Sequence, residues 1–197
     1  MQKYFVAYLL TGGAKTYHEG LTRALSKRYR IFPLHEKVVP HITVKPPFEA
    51  DEEGIAEVER VLRSFAHGVT ATPLSFSGFG RFGFKTAYID TKGSPQAVEL
   101  VRSLIKTLND NISWLPRFPL EGNKLHASIA RFMDRVQSRR VARYLAHEKA
   151  RFEASLDNIA ILRKEGQAWK VMSVIPFQKD DAWVLPRALI KRKEAVS

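Results

Sequence analysis

Val39-Pro40-His41-Ile42-Thr43-Val44 decides how this chain is read, because Lys124-Leu125-His126-Ala127-Ser128-Ile129 repeats its form: histidine, apolar, hydroxyl, apolar. Short apolar runs with β-branched residues predict strands. Side chains at i and i+2 of a strand project from one face, so His41 shares a face with Thr43, and His126 with Ser128. Ile42, Val44, Ala127 and Ile129 then point into a core. Two such strands side by side would line one groove with two imidazoles and two hydroxyls.

That set of groups suits in-line attack at phosphorus. One imidazole takes the nucleophile's proton while the other protonates the leaving oxygen. Histidine serves both roles because its ordinary pKa of about 6.5 leaves either form accessible near neutrality. The hydroxyls would hold the non-bridging oxygens, and no metal is required. Taken singly, each stretch is equally well read as a strand histidine bonded to a backbone carbonyl; the repetition favours chemistry.

The chain has 197 residues, 45% hydrophobic and 26% charged, as expected of a globular protein. Its formal net charge of +12 and pI near 10.0 favour a polyanionic partner such as RNA or DNA over a merely solvated Lys/Arg surface. Absence of cysteine excludes disulfides and thiolate metal sites and fits a reducing, cytoplasmic setting. The apolar run from Phe5 to Leu10 is too short for a signal peptide and reads as a buried strand. No run approaches transmembrane length, so no membrane partner is expected.

Along the chain, Leu21, Leu25 and Tyr29 give helical spacing over Lys15 to Tyr29, beside the basic residues Arg23, Lys27, Arg28 and Arg30. Ile31 to Leu34 and Val38 to Lys45 read as extended. Asp51-Glu52-Glu53 opens a second helix, with Ile55, Val58, Val61, Leu62 and Phe65 as its stripe. Strands are predicted over Val69 to Phe79 and Thr86 to Asp90. The GxGxxG from Gly78 to Gly83 lies between strands, so it is no dinucleotide fingerprint, which must lead into a helix.

Ser94-Pro95 starts a third helix striped by Val98, Val101, Leu104, Ile105 and Leu108. Ile112 to Lys124 is irregular and a candidate wall of the groove. A fourth helix is predicted over Gln137 to Lys149, then strands over Ala154 to Leu162 and Trp169 to Val174. Residues 179–197 form a separate basic segment after a single bilobal domain, 1–178. A strand and a helix precede each motif, and a helix and strands follow each. This is a degenerate duplication, which would relate the motif strands by a pseudo-twofold axis.

On Pro40-His41-Ile42-Thr43-Val44 and His126-Ala127-Ser128-Ile129-Ala130-Arg131, the chain resembles the 2H phosphoesterase superfamily, in its branch of 2′-5′ RNA ligases and RNA 2′,3′-cyclic phosphodiesterases. The resemblance spans Lys3 to Phe177. It implies an α+β, bilobal fold of two pseudo-twofold-related antiparallel sheets flanked by helices around a central groove. It also implies no metal or other cofactor, catalytic His41 and His126, phosphate-orienting Thr43 and Ser128, and a basic contact from Arg131. Opening the cyclic phosphate to a 2′-phosphate would make His41 the acid and His126 the base. Lys45-Pro46-Pro47-Phe48, where ligase-type members run Phe-Leu-Gly, and Leu125, where they often have proline, mark a divergent subgroup.

Substrate contacts are expected from further residues. Strand alternation puts Lys45 on the groove face, where it would meet a phosphate. Phe48, Phe82, Phe84, Trp114 and Phe118 are candidates to stack a terminal base. His18, His35, His67 and His147 lack a hydroxyl at i+2 and read as structural or solvated. The rival functions are a 2H phosphodiesterase for small cyclic nucleotides, an RNA exonuclease, or a non-catalytic RNA-binding module. A monomer is expected.

Overall fold

The computed structural model describes residues 1–93, 95–119 and 124–178. Its elements are β1 (Gln2–Leu9), α1 (Gly12–Tyr29), α2 (Leu34–Lys37), β2 (His41–Ala50), α3 (Glu52–His67), β3 (Thr72–Phe82), β4 (Thr86–Gly93), α4 (Pro95–Asn111), β5 (His126–Ala130), α5 (Arg135–Leu145), β6 (Arg151–Leu156), β7 (Asn158–Glu165) and β8 (Ala168–Pro176). The strands form two four-stranded antiparallel sheets, ordered β2-β1-β7-β8 and β5-β4-β3-β6. Each motif strand is an edge strand, joined to its inner neighbour through a helix, α1 for β1 to β2 and α4 for β4 to β5. The expected duplication is therefore present as two β-α-β units.

Local chemistry sets the helix ends. Asp51 caps α3 by accepting from Gly54 N–H at 2.9 Å, and Asp134 and Gln137 form a reciprocal capping box that starts α5 beside the second motif. Ile55, Val58 and Leu62 of α3 and Val101, Leu104, Ile105 and Leu108 of α4 are buried as their stripes predict. No helix among the described residues is long and apolar enough to cross a membrane.

The main core takes one face of each motif unit: Tyr4, Val6, Tyr8, Ile42 and Val44 from the first, Ala87, Ile89, Ala127 and Ile129 from the second. The opposite face of β1 carries a small layer, Phe5 and Ala7 with Leu34, Val38, Ala160 and Leu162. Register places His41 beside Leu9, Thr43 beside Ala7, His126 beside Asp90 and Ser128 beside Tyr88. Both motifs thus face away from the main core, as alternation requires.

The run Ala154 to Leu162 is not one strand. It breaks at Asp157, and β6 pairs with β3 while β7 pairs with β1, so the chain passes from one sheet to the other. Apolar periodicity continues across that break, which hid it. Leu34 opens a short helix instead of ending a strand, and the fourth helix spans Arg135–Leu145. Segment 179–197 lies outside the described residues. The glycine run serves the sheet: Gly78 and Gly83 have positive φ, and a Cβ on Gly80 would stand 2.3 Å from the Tyr88 ring.

Candidate active site

The two motif histidines are held alike. His41 Nδ1 lies 2.7 Å from the carbonyl oxygen of Val39, and His126 Nδ1 lies 2.7 Å from that of Lys124. A carbonyl only accepts, so each Nδ1 carries the proton and each Nε2 is left to the cleft as the basic nitrogen. In the sequence, a carbonyl-bonded histidine and a catalytic one stood as alternatives. The carbonyl bond is present in both and leaves Nε2 free, so the two readings are compatible.

Both imidazoles open onto one cavity of about 310 Å³, together with Thr43, Ser128 and Arg131. The motif strands β2 and β5 come together at this cleft. Phe118 and Lys124 complete the wall, so the irregular segment does line the groove. Phe82 stands edge-on to His126, ring centroids 4.8 Å apart, and Tyr88 packs against it at 5.1 Å. Phe5 plays that part for His41, at 5.1 Å. Phe5 and Tyr88 are buried, and Phe82 itself lines the cavity.

Burial pushes the His41 pKa down to about 4; the Val39 bond opposes this, and charge on His18, Arg131 or His126 adds to it. His126 is lowered as well, first by burial, with Arg131 and Lys124 contributing and Asp90 opposing. Both are therefore neutral at pH 7, and the Arg131 guanidinium carries the positive charge beside them. Two Nε2 atoms, two hydroxyls and a guanidinium converge where a phosphate diester would be bound, oriented and relayed a proton.

Three expected contacts are elsewhere. Lys45 does not face the groove, because Ala7 stands opposite Thr43 while Val6 stands opposite Lys45, leaving Val44 and Lys45 against one residue. This bulge turns Lys45 to the core face. There it is 4% exposed, donates to the Pro116 carbonyl and lies 5.7 Å from the Phe118 ring. Its role is to brace the cleft wall. Phe48 is buried between Tyr4 and Trp114. Trp114 donates to Glu57 at 2.7 Å and borders a separate cavity with Glu49, Asp51 and Glu53, an acidic setting hostile to phosphate.

His18, read from the sequence as structural or solvated, is structural, and Phe132 escaped sequence reasoning. His18 is 3% exposed, and its Nε2 lies 2.8 Å from the Ser128 carbonyl oxygen. It ties α1 to the second motif strand; the only signal was a histidine on the apolar side of an amphipathic helix. Phe132 follows Arg131 with φ 58°, unusual for a bulky residue, and is 66% exposed. Nothing in its neighbourhood in sequence announces that conformation.

Comparison with known proteins agrees with this arrangement. The sequence model of the 2′-5′ RNA ligase superfamily matches residues 18–168. A protein of Geobacillus sp. (strain WCH70) named as a phosphoesterase is 24% identical over 175 residues, 86% of this chain and 92% of that protein. TT0787 of Thermus thermophilus superposes with a TM-score of 0.65 at 16% identity, over 90% of this chain and 99% of that one. E. coli LigT complexed with 3′-AMP does so at 0.60 and 11%, over 90% and 98%. The two-sheet α+β fold is common to them, and the chain belongs to the 2′-5′ RNA ligase superfamily of 2H phosphoesterases.

Proposed function

We propose that this protein is a metal-independent RNA 2′,3′-cyclic phosphodiesterase that leaves a 2′-phosphate end, and that joins a 5′-hydroxyl to the same cyclic phosphate in the reverse sense as a 2′-5′ ligase. The observation that carries this reading is the matched tethering of His41 and His126, which turns two basic Nε2 atoms into one cavity beside Thr43, Ser128 and Arg131. Water adds to phosphorus as the phosphorus–O3′ bond breaks. One imidazole takes the water proton, and its counterpart gives a proton to O3′. Thr43, Ser128 and Arg131 hold the non-bridging oxygens through hydrogen bonds that strengthen as charge gathers there. Burial lowers both imidazoles and both Nδ1 atoms are tethered alike, so either can act as acceptor, and its counterpart must gain a proton to act as donor.

A polynucleotide is favoured over a small cyclic nucleotide by the surface beyond the cleft. Arg135, Arg139, Arg140 and Arg143 are all exposed on α5, which begins four residues after Arg131. Among the described residues none of the four is in an ion pair. α1 adds Arg28, 5.6 Å from the Tyr144 ring, and Gln137 donates to the Arg30 carbonyl at 3.3 Å, joining the two basic helices. Four residues of helix rise about 6 Å, comparable to the step between phosphates of an extended single strand. LigT, crystallised with 3′-AMP, is a nucleotide-binding relative of the same fold. The deciding assay is phosphorus NMR of a short RNA ending in a 2′,3′-cyclic phosphate, in the presence of chelator. Accumulation of a 2′-phosphomonoester supports the proposal; a 3′-phosphomonoester, or dependence on added metal, contradicts it.

A further inference from the structure

Beside the cavity that holds both histidines lies a second, of about 240 Å³, walled by the aromatic rings of Phe5, Phe132 and Trp169. His41, Thr43, Pro47 and Arg131 border both cavities, so the second opens directly from the reacting centre. Phe5 and Trp169 form its floor, edge to face with ring centroids 4.7 Å apart. The cavity is thus flat-walled, apolar and one nucleoside's reach from the phosphate position.

Phe132 is held in this wall at a cost. Its φ of 58° is left-handed, and two-thirds of the side chain is in solvent. Ala130, paired in β5, and Met133, whose N–H donates to the Lys85 carbonyl at 3.2 Å, are both buried and fix the chain on either side. Between these anchors Arg131 and Phe132 are turned out together. Phe32 supports the Phe132 ring edge-on at 5.1 Å, and the Arg131 guanidinium lies 5.1 Å from its centroid. An exposed aromatic ring kept in a strained conformation and buttressed by a second ring is poised for a ligand.

We propose that this side cavity seats the base of the terminal nucleotide, a planar aromatic heterocycle stacked on Phe132. The assignment rests on the cyclic phosphodiesterase reading. Ribose then spans the distance to the phosphate between His41 and His126, and Arg131 serves both ends. Apart from the four residues shared with the catalytic cavity, the only polar side-chain group in the walls is the Trp169 indole N–H. Recognition is by stacking, and all four bases are accepted because each has a π face.

The test is steady-state kinetics on the four nucleoside 2′,3′-cyclic phosphates and on ribose 2′,3′-cyclic phosphate lacking a base, for the wild type, Phe132→Ala and Phe132→Trp. Loss of one base–ring stack raises KM about 5- to 150-fold. Phe132→Ala is expected to raise KM by that factor more for the nucleoside substrates than for the abasic one, with kcat little altered, and Phe132→Trp to restore it. Equal losses on all five substrates, or none on the nucleosides, would overturn the base subsite. If the wild type turns over none of them, the phosphodiesterase reading fails by itself. The subsite is then decided by calorimetry: it stands if nucleoside 2′-monophosphates bind the wild type but not Phe132→Ala, and falls if they bind no better than ribose phosphate.

Discussion

His18 Nε2 donates to the carbonyl oxygen of Ser128 at 2.8 Å, and its buried Nδ1 has no partner among the described residues. The bond runs from α1 to the edge strand that carries the second motif. Burial pushes the His18 pKa down to about 4, although the Ser128 bond opposes this. His18 is therefore neutral when folded, and the unfolded chain binds more protons between its ordinary pKa of about 6.5 and about 4. Stability is fully present above pH 6.5 and declines as pH falls through that window, by roughly 3 kcal/mol for such a shift. His18→Leu is expected to be less stable than the wild type by about 1–3 kcal/mol at pH 7, from the unpaired carbonyl. Because it has no imidazole to protonate, the gap should close towards pH 4. Urea titrations at both pH values check this; an unchanged gap contradicts it.

The roles of the two histidines are separable by the leaving group. An aryl phosphodiester such as bis(p-nitrophenyl) phosphate needs no proton on its departing oxygen. If His126 is the acid, His126→Ala should retain most activity on the aryl ester while losing about 10²–10⁴-fold on the cyclic phosphate. His41→Ala should lose both. The opposite pattern would assign the acid to His41.

Arg131 holds a positive charge beside both imidazoles and disfavours protonating either. Catalysis needs one imidazole charged and one neutral, so kcat/KM of the wild type should peak below pH 6.5, between two lowered values. Arg131→Gln lets both values rise and moves the optimum to higher pH. It should also cost about 10²-fold in kcat/KM, because the guanidinium no longer holds the phosphate. A profile that keeps its position while falling in height would remove Arg131 from the electrostatics of the pair.

The arginines of α5 should be read out by salt. Replacing Arg139, Arg140 and Arg143 with glutamine is expected to weaken binding of an RNA oligonucleotide far more than that of a mononucleotide. The slope of log K against log salt should fall by about 0.7 for each phosphate of a single strand that is no longer neutralised. Fluorescence anisotropy over a salt series measures it, and an unchanged slope would place RNA on another face.

The grouping of the motif residues was more legible in the sequence than its surroundings. His41, Thr43, His126 and Ser128 stand out because strand alternation and repetition are local properties, Arg131 follows from the family resemblance, and the structure brings all five to one cavity. Lys45 was misplaced by the same alternation, since a bulge shifts parity by one and leaves no mark in composition. His18 and Phe132 depend on contacts made across the fold, to Ser128 and to Phe32, which no local pattern encodes. The strand exchange at Asp157 was hidden for a like reason: partner choice belongs to the sheet.

Two-histidine catalysis is tested most directly by comparing wild type, His41→Ala and His126→Ala on a short RNA ending in a 2′,3′-cyclic phosphate, with chelator present and folding verified by circular dichroism. Chelator-resistant turnover is expected of the wild type, with at least about 10²-fold loss in each folded variant. Undiminished turnover in either variant, or a wild type that binds the RNA and never opens the ring, would contradict it.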